Sequence, residues 1–278
     1  MQISPVLRIV FISFTSIISV FLALFALRMI GLSQTPKASI LPEPLQQEGL
    51  VVYYATGTKT VSGRSLTTPL SSNEFFALPL QRLSTGEFLI YPLGSFKNTS
   101  GEERFFIELD RESALTELEA SASTQHLMLS DYLKFHPQDK ILFIDLADRD
   151  PAKFQGLRDI LLKSLRPEQI VFTSAYVEPL DFLRKEIPRA LFAMNVAQVG
   201  KLVFMNSLFI ETIAPMDGDL VIAPTKYRKR PLFQPRLVDE LNRRQIPILI
   251  INPDESPSDN LRGQVKGSVI NPYYGIKN

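Results

Sequence analysis

The sequence predicts an α/β protein: a (β/α)8 TIM barrel preceded by one transmembrane helix. Two observations predict it. An uncharged apolar run lies near the amino terminus, and beyond Glu48 short apolar runs alternate with amphipathic stretches. The short runs are almost continuously apolar, which is typical of parallel strands buried on both faces. Eight such strands separated by helices fit a closed barrel. A doubly wound open sheet is the alternative fold, although no glycine-rich phosphate loop follows any run.

The first element is the apolar run Ile9–Leu27, which contains 19 residues and no charge between Arg8 and Arg28. At about 1.5 Å per residue a helix of this length spans roughly 28 Å, close to the thickness of the hydrocarbon layer. A cleaved signal peptide is the alternative, but its apolar region is normally only ~7–15 residues long. Ala26-Leu27-Arg28 is also a poor cleavage site, so the run predicts a membrane anchor.

The orientation of this anchor depends on a small charge difference. Arg8 lies on one side, and Arg28 and Lys37 lie on the other, so the positive-inside rule is nearly balanced. A short amino-terminal tail usually stays in the cytoplasm, which would place the following domain outside. We therefore expect a single-pass membrane protein with an extracytoplasmic domain. The predicted segments are a tail (1–8), a transmembrane helix (9–27), a proline-containing stalk (28–48) and a barrel domain (49–278).

The barrel strands are predicted from the apolar runs Leu50–Tyr54, Phe75–Leu80, Ile141–Leu146, Gln169–Thr173, Ala190–Met194, Leu220–Ala223, Ile246–Ile251 and Ser268–Ile270. Phe88–Tyr91 follows a Thr-Gly turn and predicts a hairpin partner for the second strand. Amphipathic spacing predicts helices over Ala152–Leu165, Leu180–Glu186 and Arg236–Gln245. Few residues separate the first two strands after Pro69, so we expect the first crossover helix to be largely missing.

Composition excludes several classes of function. The 278 residues carry 30 basic and 29 acidic side chains, and the basic cluster Lys226–Arg230 is short. Nucleic-acid binders usually have a basic excess, so a nucleic-acid partner is not expected. Cysteine is absent, which excludes disulfides, thiolate metal sites and a cysteine nucleophile. Histidine occurs only at His126 and His136, which limits the candidates for proton transfer near neutral pH.

A family resemblance rests on several collinear stretches. Phe76–Pro92 (FALPLQRLSTGEFLIYP) resembles the signature strand and hairpin of the glycerophosphodiester phosphodiesterases, which are PLC-like phosphodiesterase barrels. HLMLSDYLKFHPQDKILFIDLADRD, VFTSAYVEPLDFLRKEIPRALFAMN and LVDELNRRQIPILIINPDES are similar to later units of that family, in the same order. The similarity runs from about residue 49 to 274. It implies the same barrel that the periodicity predicts.

The resemblance also assigns the family's catalytic positions, and most of them are substituted. The metal-binding Glu and Asp fall on Ala77 and Pro79, the second His falls on Tyr91, and the neighbouring Lys falls on Ala147. The third metal-binding carboxylate survives as Asp145. The first strand continues into Tyr-Tyr-Ala-Thr-Gly, where the family has His-Arg-Gly.

These substitutions predict a loss of activity. Phosphodiester hydrolysis requires a metal held by several oxygen ligands and a proton-transfer group near neutral pH. One carboxylate cannot hold such an ion well. His126 and His136 are expected at the surface, near the amino-terminal face of the barrel or its outer ring, because barrel active sites form at the carboxyl ends of the strands.

Polar residues at the predicted carboxyl ends of strands are Tyr54, Tyr91, Asp145, Ser174, Asn195, Lys226 and Asn252. Ser174 and Asn252 are expected to cap helices or satisfy loop backbone. The other expectation is a ligand pocket formed by Asp145, Tyr54, Tyr91 and Lys226, with no residue assigned a catalytic role. Asp145 lies inside an apolar run and needs a partner, for which Lys226, Lys59 or a ligand are the candidates.

Three functions remain open from the sequence. The first is a catalytically inactive phosphodiesterase-like barrel that binds a phosphate-containing lipid-derived ligand or a protein at the membrane. The second is an active glycerophosphodiester phosphodiesterase with a rearranged site, and only this one would require calcium or magnesium as a cofactor. The third is a purely structural, membrane-tethered module. The cluster Lys226–Arg230 is either a solvated loop or a binding site for a lipid phosphate group.

Overall fold

The computed structural model describes residues 5–34, 41–60, 62–122, 126–227, 230–251 and 265–271. Its α-helices are α1 (Pro5–Ser33), α2 (Glu43–Gln46), α3 (Arg111–Ala122), α4 (Leu129–Tyr132), α5 (Leu157–Leu161), α6 (Val177–Glu186), α7 (Val196–Ser207) and α8 (Pro235–Arg243). Its strands are β1 (Leu50–Tyr54), β2 (Glu74–Arg82), β3 (Phe88–Ile90), β4 (Ser95–Lys97), β5 (Glu103–Phe105), β6 (Leu142–Leu146), β7 (Ile170–Thr173), β8 (Leu191–Met194), β9 (Leu220–Ala223), β10 (Lys226–Tyr227), β11 (Arg230–Pro231), β12 (Ile248–Ile251) and β13 (Val265–Ile270). Asn252, the middle of the cluster 226–230 and part of the predicted stalk lie outside the described residues.

Eight parallel strands of the described chain close into a barrel. They follow the order β1, β2, β6, β7, β8, β9, β12 and β13, and β1 pairs with both β2 and β13. Strand β3 pairs antiparallel with the end of β2, which is the predicted hairpin. The predicted (β/α)8 barrel is therefore confirmed. The open doubly wound sheet is wrong for this chain because its edge strands would not meet.

Alternate residues of each strand fill the barrel, and the residues between them pack under the helices. Val52, Phe75, Phe143, Val171 and Leu249 belong to the inner cluster. Their neighbours form two outer clusters against the surrounding helices. Most of the strands are covered on both faces, so they read as continuous apolar runs rather than as alternating ones. Strands β1 and β13 are only partly covered.

The connection between β1 and β2 has no helix in its described residues, 55–60 and 62–73. Two isolated bridges, Ala55–Thr60 and Lys59–Ser65, order this loop instead. Arg64 ties it to the barrel through Glu74, with a distance of 2.7 Å between Nη1 and Oε1. Hydrogen bonds from Arg64 and Ser71 lower the pKa of Glu74 to about 2. The expected irregularity at the first crossover is thus present.

The helix predicted over Ala152–Leu165 is shorter than expected. A 3₁₀ turn occupies Pro151–Phe154, and α5 covers only Leu157–Leu161. Gly156 separates them, with a φ of 83° that a right-handed helix cannot contain. The apolar spacing was correct, since Phe154, Leu157 and Leu161 are all buried, but the glycine interrupts the backbone.

The β4–β5 hairpin and helix α7 were not predicted. Residues between β3 and β6 form an insertion that contains the β4–β5 hairpin and α3, with its own buried cluster around Phe96, Phe106 and Leu118. Helix α7 was also missed, although its start carries a capping box in which Asn195 and Gln198 each bond the other's backbone N–H. An Asn followed three residues later by Gln is a recognisable start signal for a helix.

Helix α1 is long and apolar enough to span a membrane, and its apolar window has no buried residue. It continues beyond Leu27 to Ser33, so residues 28–33 of the predicted stalk are helical. Gly31 is buried against Thr212, and the Oγ1 of Thr212 donates to the carbonyl of Arg28 at 3.1 Å. Further along the predicted stalk, Leu41 and Leu45 are buried in the inner core of the barrel. Gly31, Leu41 and Leu45 of the predicted stalk therefore pack on the domain.

Candidate functional site at the mouth of the barrel

Asp145 lies at the carboxyl end of the barrel and faces its interior. It occupies the fourth position of β6, two residues beyond the inward-facing Phe143. In register it sits between Pro79 of β2 and Thr173 of β7. The residue as a whole is partly buried. This is the end at which barrel enzymes place their sites.

Two hydroxyl groups hold the Asp145 carboxyl group. The Oγ1 of Thr173 donates to Oδ1 at 2.9 Å. The hydroxyl of Tyr54, which is buried at the end of β1, donates to Oδ2. Burial raises the pKa of Asp145 above its ordinary value, and the two hydrogen bonds oppose that rise. The predicted partners Lys226 and Lys59 are not among its hydrogen-bond donors, because β1 and β7 place hydroxyls within reach.

Among the described residues, the side chains at this mouth form a poor donor set for a divalent metal ion. Ala77 and Pro79, which the resemblance aligns with two metal ligands, lie on β2 beside Phe143 and Asp145 of β6. Their side chains offer no oxygen, so Asp145 stands as a single carboxylate where the family has three. Among the described residues, no group of three or more His, Cys, Asp or Glu side chains is placed to hold a metal. Calcium and magnesium prefer sets of several oxygen ligands.

The structure brings together two of the four expected pocket residues, Asp145 and Tyr54. Tyr91 lies just after β3, and its ring packs in the insertion against Phe106 at 5.0 Å and His126 at 5.5 Å between centroids. Lys226 belongs to the short hairpin β10–β11 that follows β9, and it is exposed. Thr173 was missed as a site residue. Its signal was available, since it ends an apolar run two residues after the inward-facing Val171.

The prediction that both histidines lie at the surface is wrong. His126 is 9% exposed and His136 is 6% exposed. The inserted segment covers His126, and burial lowers its pKa. Its two ring nitrogens have no hydrogen-bond partner among the described residues. His136 bonds the Tyr132 hydroxyl through Nδ1 at 2.9 Å, and burial lowers its pKa to about 4. Neither histidine is hydrogen-bonded to Asp145, whose donors are Tyr54 and Thr173.

The side chains of Ser174 and Asn195, at the carboxyl ends of β7 and β8, form hydrogen bonds with backbone groups. The Ser174 hydroxyl donates to the carbonyl of Leu146 at 2.8 Å and accepts from the N–H of Tyr176, which confirms its predicted structural role. Asn195 caps α7 through its side-chain oxygen, while its buried Nδ2 has no partner in the part of the chain that the structure describes. A buried amide without a partner is costly unless something accepts from it.

Comparison with solved structures identifies proteins of the same fold. A candidate glycerophosphodiester phosphodiesterase from Galdieria sulphuraria matches with a TM-score of 0.56 and 14% identity, over 80% of this chain and 93% of its own. The glycerophosphoryl diester phosphodiesterase domain of a Mycobacterium tuberculosis protein gives a TM-score of 0.60 and 11% identity, over 81% and 96%. An Oleispira antarctica phosphodiesterase, solved with the product sn-glycerol-3-phosphate, gives 0.55 and 10%, over 80% and 92%.

No protein-family model matches the sequence, and neither does any curated protein. The structural likeness covers nearly all of each neighbour, and it confirms the resemblance at the level of the fold. The chain has the barrel fold of the glycerophosphodiester phosphodiesterases.

Proposed function

We propose that this chain, with its phosphodiesterase-type barrel, is a membrane-anchored, catalytically inactive relative of those enzymes that binds a ligand at the mouth of the barrel. One observation carries the proposal. Asp145 is held by two hydroxyls, at a place where Ala77 and Pro79 offer no further metal ligand. A phosphodiesterase of this type needs charge stabilisation by a metal and a proton-transfer group, and the described mouth provides neither set.

The ligand that this mouth suits is small and polar. Tyr54, Thr173 and Asp145 supply hydroxyl and carboxyl groups, and Asn195 supplies a buried amide on the neighbouring strand end. Such groups hydrogen-bond to the hydroxyls of a glycerol-like or sugar-like group. We therefore favour a lipid-derived polar ligand over a purely structural tether. The anchor is α1, which leaves the barrel as an exposed apolar helix and would hold the domain at an extracytoplasmic membrane surface.

Metal binding tests the inactive assignment directly. Purified full-length protein is dialysed to equilibrium against calcium and against magnesium, and we expect no stoichiometric retention. The matched variant Ala77→Glu/Pro79→Asp places two more carboxylates beside Asp145 and should retain about one ion. Adding Asp145→Ala to that variant should abolish the retention. If the native chain retains one ion and loses it on Asp145→Ala, the active alternative with a rearranged site is correct.

Ligand binding separates the binding module from the structural tether. We expect glycerol 3-phosphate or glycerophosphocholine to raise the melting temperature of the native chain, because a ligand that binds only the folded state stabilises it. Tyr54→Phe and Thr173→Val remove one hydroxyl each and should reduce that rise. A melting temperature that no such ligand changes would favour the structural module.

A further inference from the structure

The residues around the docking point of α1 form a surface that is both aromatic and basic. Phe204 and Phe209 lie on the last turn of α7 and just beyond it, and their side chains are 62% and 54% exposed. Lys201 is exposed one turn before Phe204, on the same side of the helix. The guanidinium of Arg236 lies 3.8 Å from the centre of the Phe209 ring. Exposed aromatic side chains of this size need an explanation when they cluster.

This surface adjoins the point where α1 meets the barrel. Arg28 donates through Nη1 to the carbonyl of Phe209 at 3.5 Å, and the same atom forms an ion pair with Glu211 at 2.5 Å. Arg28 is also the first residue after the apolar run that ends at Leu27. If α1 spans a bilayer as proposed, the edge of the hydrocarbon layer is at Arg28. Phe209 then lies next to that edge, because its carbonyl group accepts a hydrogen bond from Arg28.

The charges of this segment suit a lipid surface. Between residues 196 and 216 the only acidic residue is Glu211. Its side chain is 1% exposed and is paired with Arg28, so it presents no negative charge outward. Phe209 has a φ of 64°, an unusual conformation for a bulky residue, and its ring is half exposed. Aromatic and basic side chains are enriched together at membrane interfaces.

The same contacts orient the barrel. The segment between α7 and β9 runs from the end of a helix to the start of a strand, so it lies at the amino-terminal end of the barrel. Helix α2 lies at this end too, since Leu45 packs in the core with Leu50 and Ile141 at the starts of their strands. The apolar length of α1 is unburied and does not return along the barrel. The mouth that contains Asp145 is at the opposite end.

We infer that the surface formed by Lys201, Phe204, Phe209 and Arg236 rests in the lipid head-group layer, with the barrel mouth facing away from the bilayer. This inference rests on the proposed anchor and deepens the proposed function. A mouth that faces away from its own membrane meets water-soluble ligands, such as deacylated lipid products, rather than head groups of intact lipids in the same bilayer. We name a lipid surface, and not a second protein, as the partner of this surface. The reason is that Arg28, at the end of the proposed membrane helix, contacts Phe209 directly.

Tryptophan fluorescence tests this orientation cleanly, because the chain contains no Trp. Full-length Phe204→Trp protein is reconstituted into vesicles of phosphatidylcholine and phosphatidylglycerol whose acyl chains are brominated near the head group. The matched control is Tyr176→Trp, since Tyr176 is 38% exposed just after β7, at the mouth. We expect bromolipid to quench Phe204→Trp about twofold or more, and to leave Tyr176→Trp unquenched. Both variants are first shown to melt like the native chain.

Each other outcome overturns the inference in a different way. Vesicle flotation is measured first, and failure to float would overturn both the anchor and the orientation. Flotation without quenching of Phe204→Trp would leave the anchor standing and refute the lipid contact. A blue-shifted emission without quenching would mean that a second copy or another protein covers this surface. Quenching of Tyr176→Trp but not of Phe204→Trp would mean that the mouth faces the membrane.

Discussion

Asp145 has a raised pKa in the folded protein and accepts hydrogen bonds from two hydroxyl groups. The raised pKa determines how the ionisation of Asp145 changes the stability of the folded state. Its ordinary pKa is 3.8, and burial raises it in the folded protein. The folded state therefore holds the proton more tightly than the unfolded chain does. The contribution of Asp145 to stability is complete below its ordinary pKa and is lost as the pH rises through the raised value. At neutral pH the charged group thus costs stability, which is typical of a residue retained for a reason other than folding.

The Asp145→Asn variant tests this account. It keeps the shape and the hydrogen-bonding capacity of the side chain but removes the charge. At about pH 7 we expect it to unfold with a free energy about 1 kcal/mol higher than the native chain. The gain should disappear towards about pH 2.5, well below the ordinary pKa, where the native carboxyl group is protonated in both states. Urea denaturation at the two pH values measures both quantities, and a variant less stable at neutral pH would show that Asp145 is charged and well compensated.

At the scale of the element, the end of α1 is a packed contact rather than a flexible join. A Cβ atom added at Gly31 would lie 2.4 Å from the Oγ1 of Thr212 and 2.6 Å from its backbone carbon. The backbone carbon cannot move aside easily. Arg28 and Glu211 add an ion pair on the same contact. The packing of α1 on the barrel therefore depends on the absence of a side chain at one helical position, and under the proposed anchor the orientation of the barrel does too.

A pair of glycine variants tests this contact. Gly31→Ala should weaken the docking of α1, with an overpacking cost of about 1–3 kcal/mol. Gly200→Ala is the matched control, because Gly200 also lies in a helix and a Cβ there would meet nothing within 4 Å. That variant should stabilise its helix by about 0.5–1 kcal/mol. Limited proteolysis between residues 34 and 41 provides the measurement, and equal cleavage rates in the two variants would contradict the packed contact.

At the scale of the whole molecule, the barrel depends on residues that precede its first strand. Leu45 is 1% exposed and closes the amino-terminal end of the inner core. Arg28 compensates Glu211, which is buried. Contacts made by residues before position 49 therefore contribute to the stability of the barrel.

Two truncations should separate these contributions. Removal of residues 1–32 should leave a folded domain that is destabilised, because Glu211 loses its cation, and Glu211→Gln should recover much of the loss. Removal of residues 1–46 should cost a further 2–5 kcal/mol or so, as expected when a buried leucine is lost from a core. Thermal denaturation of the three proteins compares them. If the two truncated proteins have the same melting temperature, the segment that contains Leu45 does not contribute to the stability of the core.

The sequence predicted those parts of the fold that follow from local patterns. The bounds of β1 and β9 agree with the apolar runs, because the inward-facing residues of both strands are buried and the residues between them are at least partly buried. It failed where tertiary contacts decide, as at His126, which is covered by an insertion with no simple periodicity. Asp145 and Tyr54 could be named from their places at strand ends. Their direct contact could not, because it depends on the closure of β1 against β2 and β6.

The measurement that tests the central claim most directly is turnover of a glycerophosphodiester. Purified full-length protein is incubated with glycerophosphocholine and either calcium or magnesium, and release of glycerol 3-phosphate is followed. Loss of one acid or base typically costs ~10²–10⁴-fold in rate, and the described mouth lacks both as well as most of the metal ligands. We predict a rate no higher than that of the Asp145→Ala variant. Turnover by the native chain that disappears in Asp145→Ala would contradict the account.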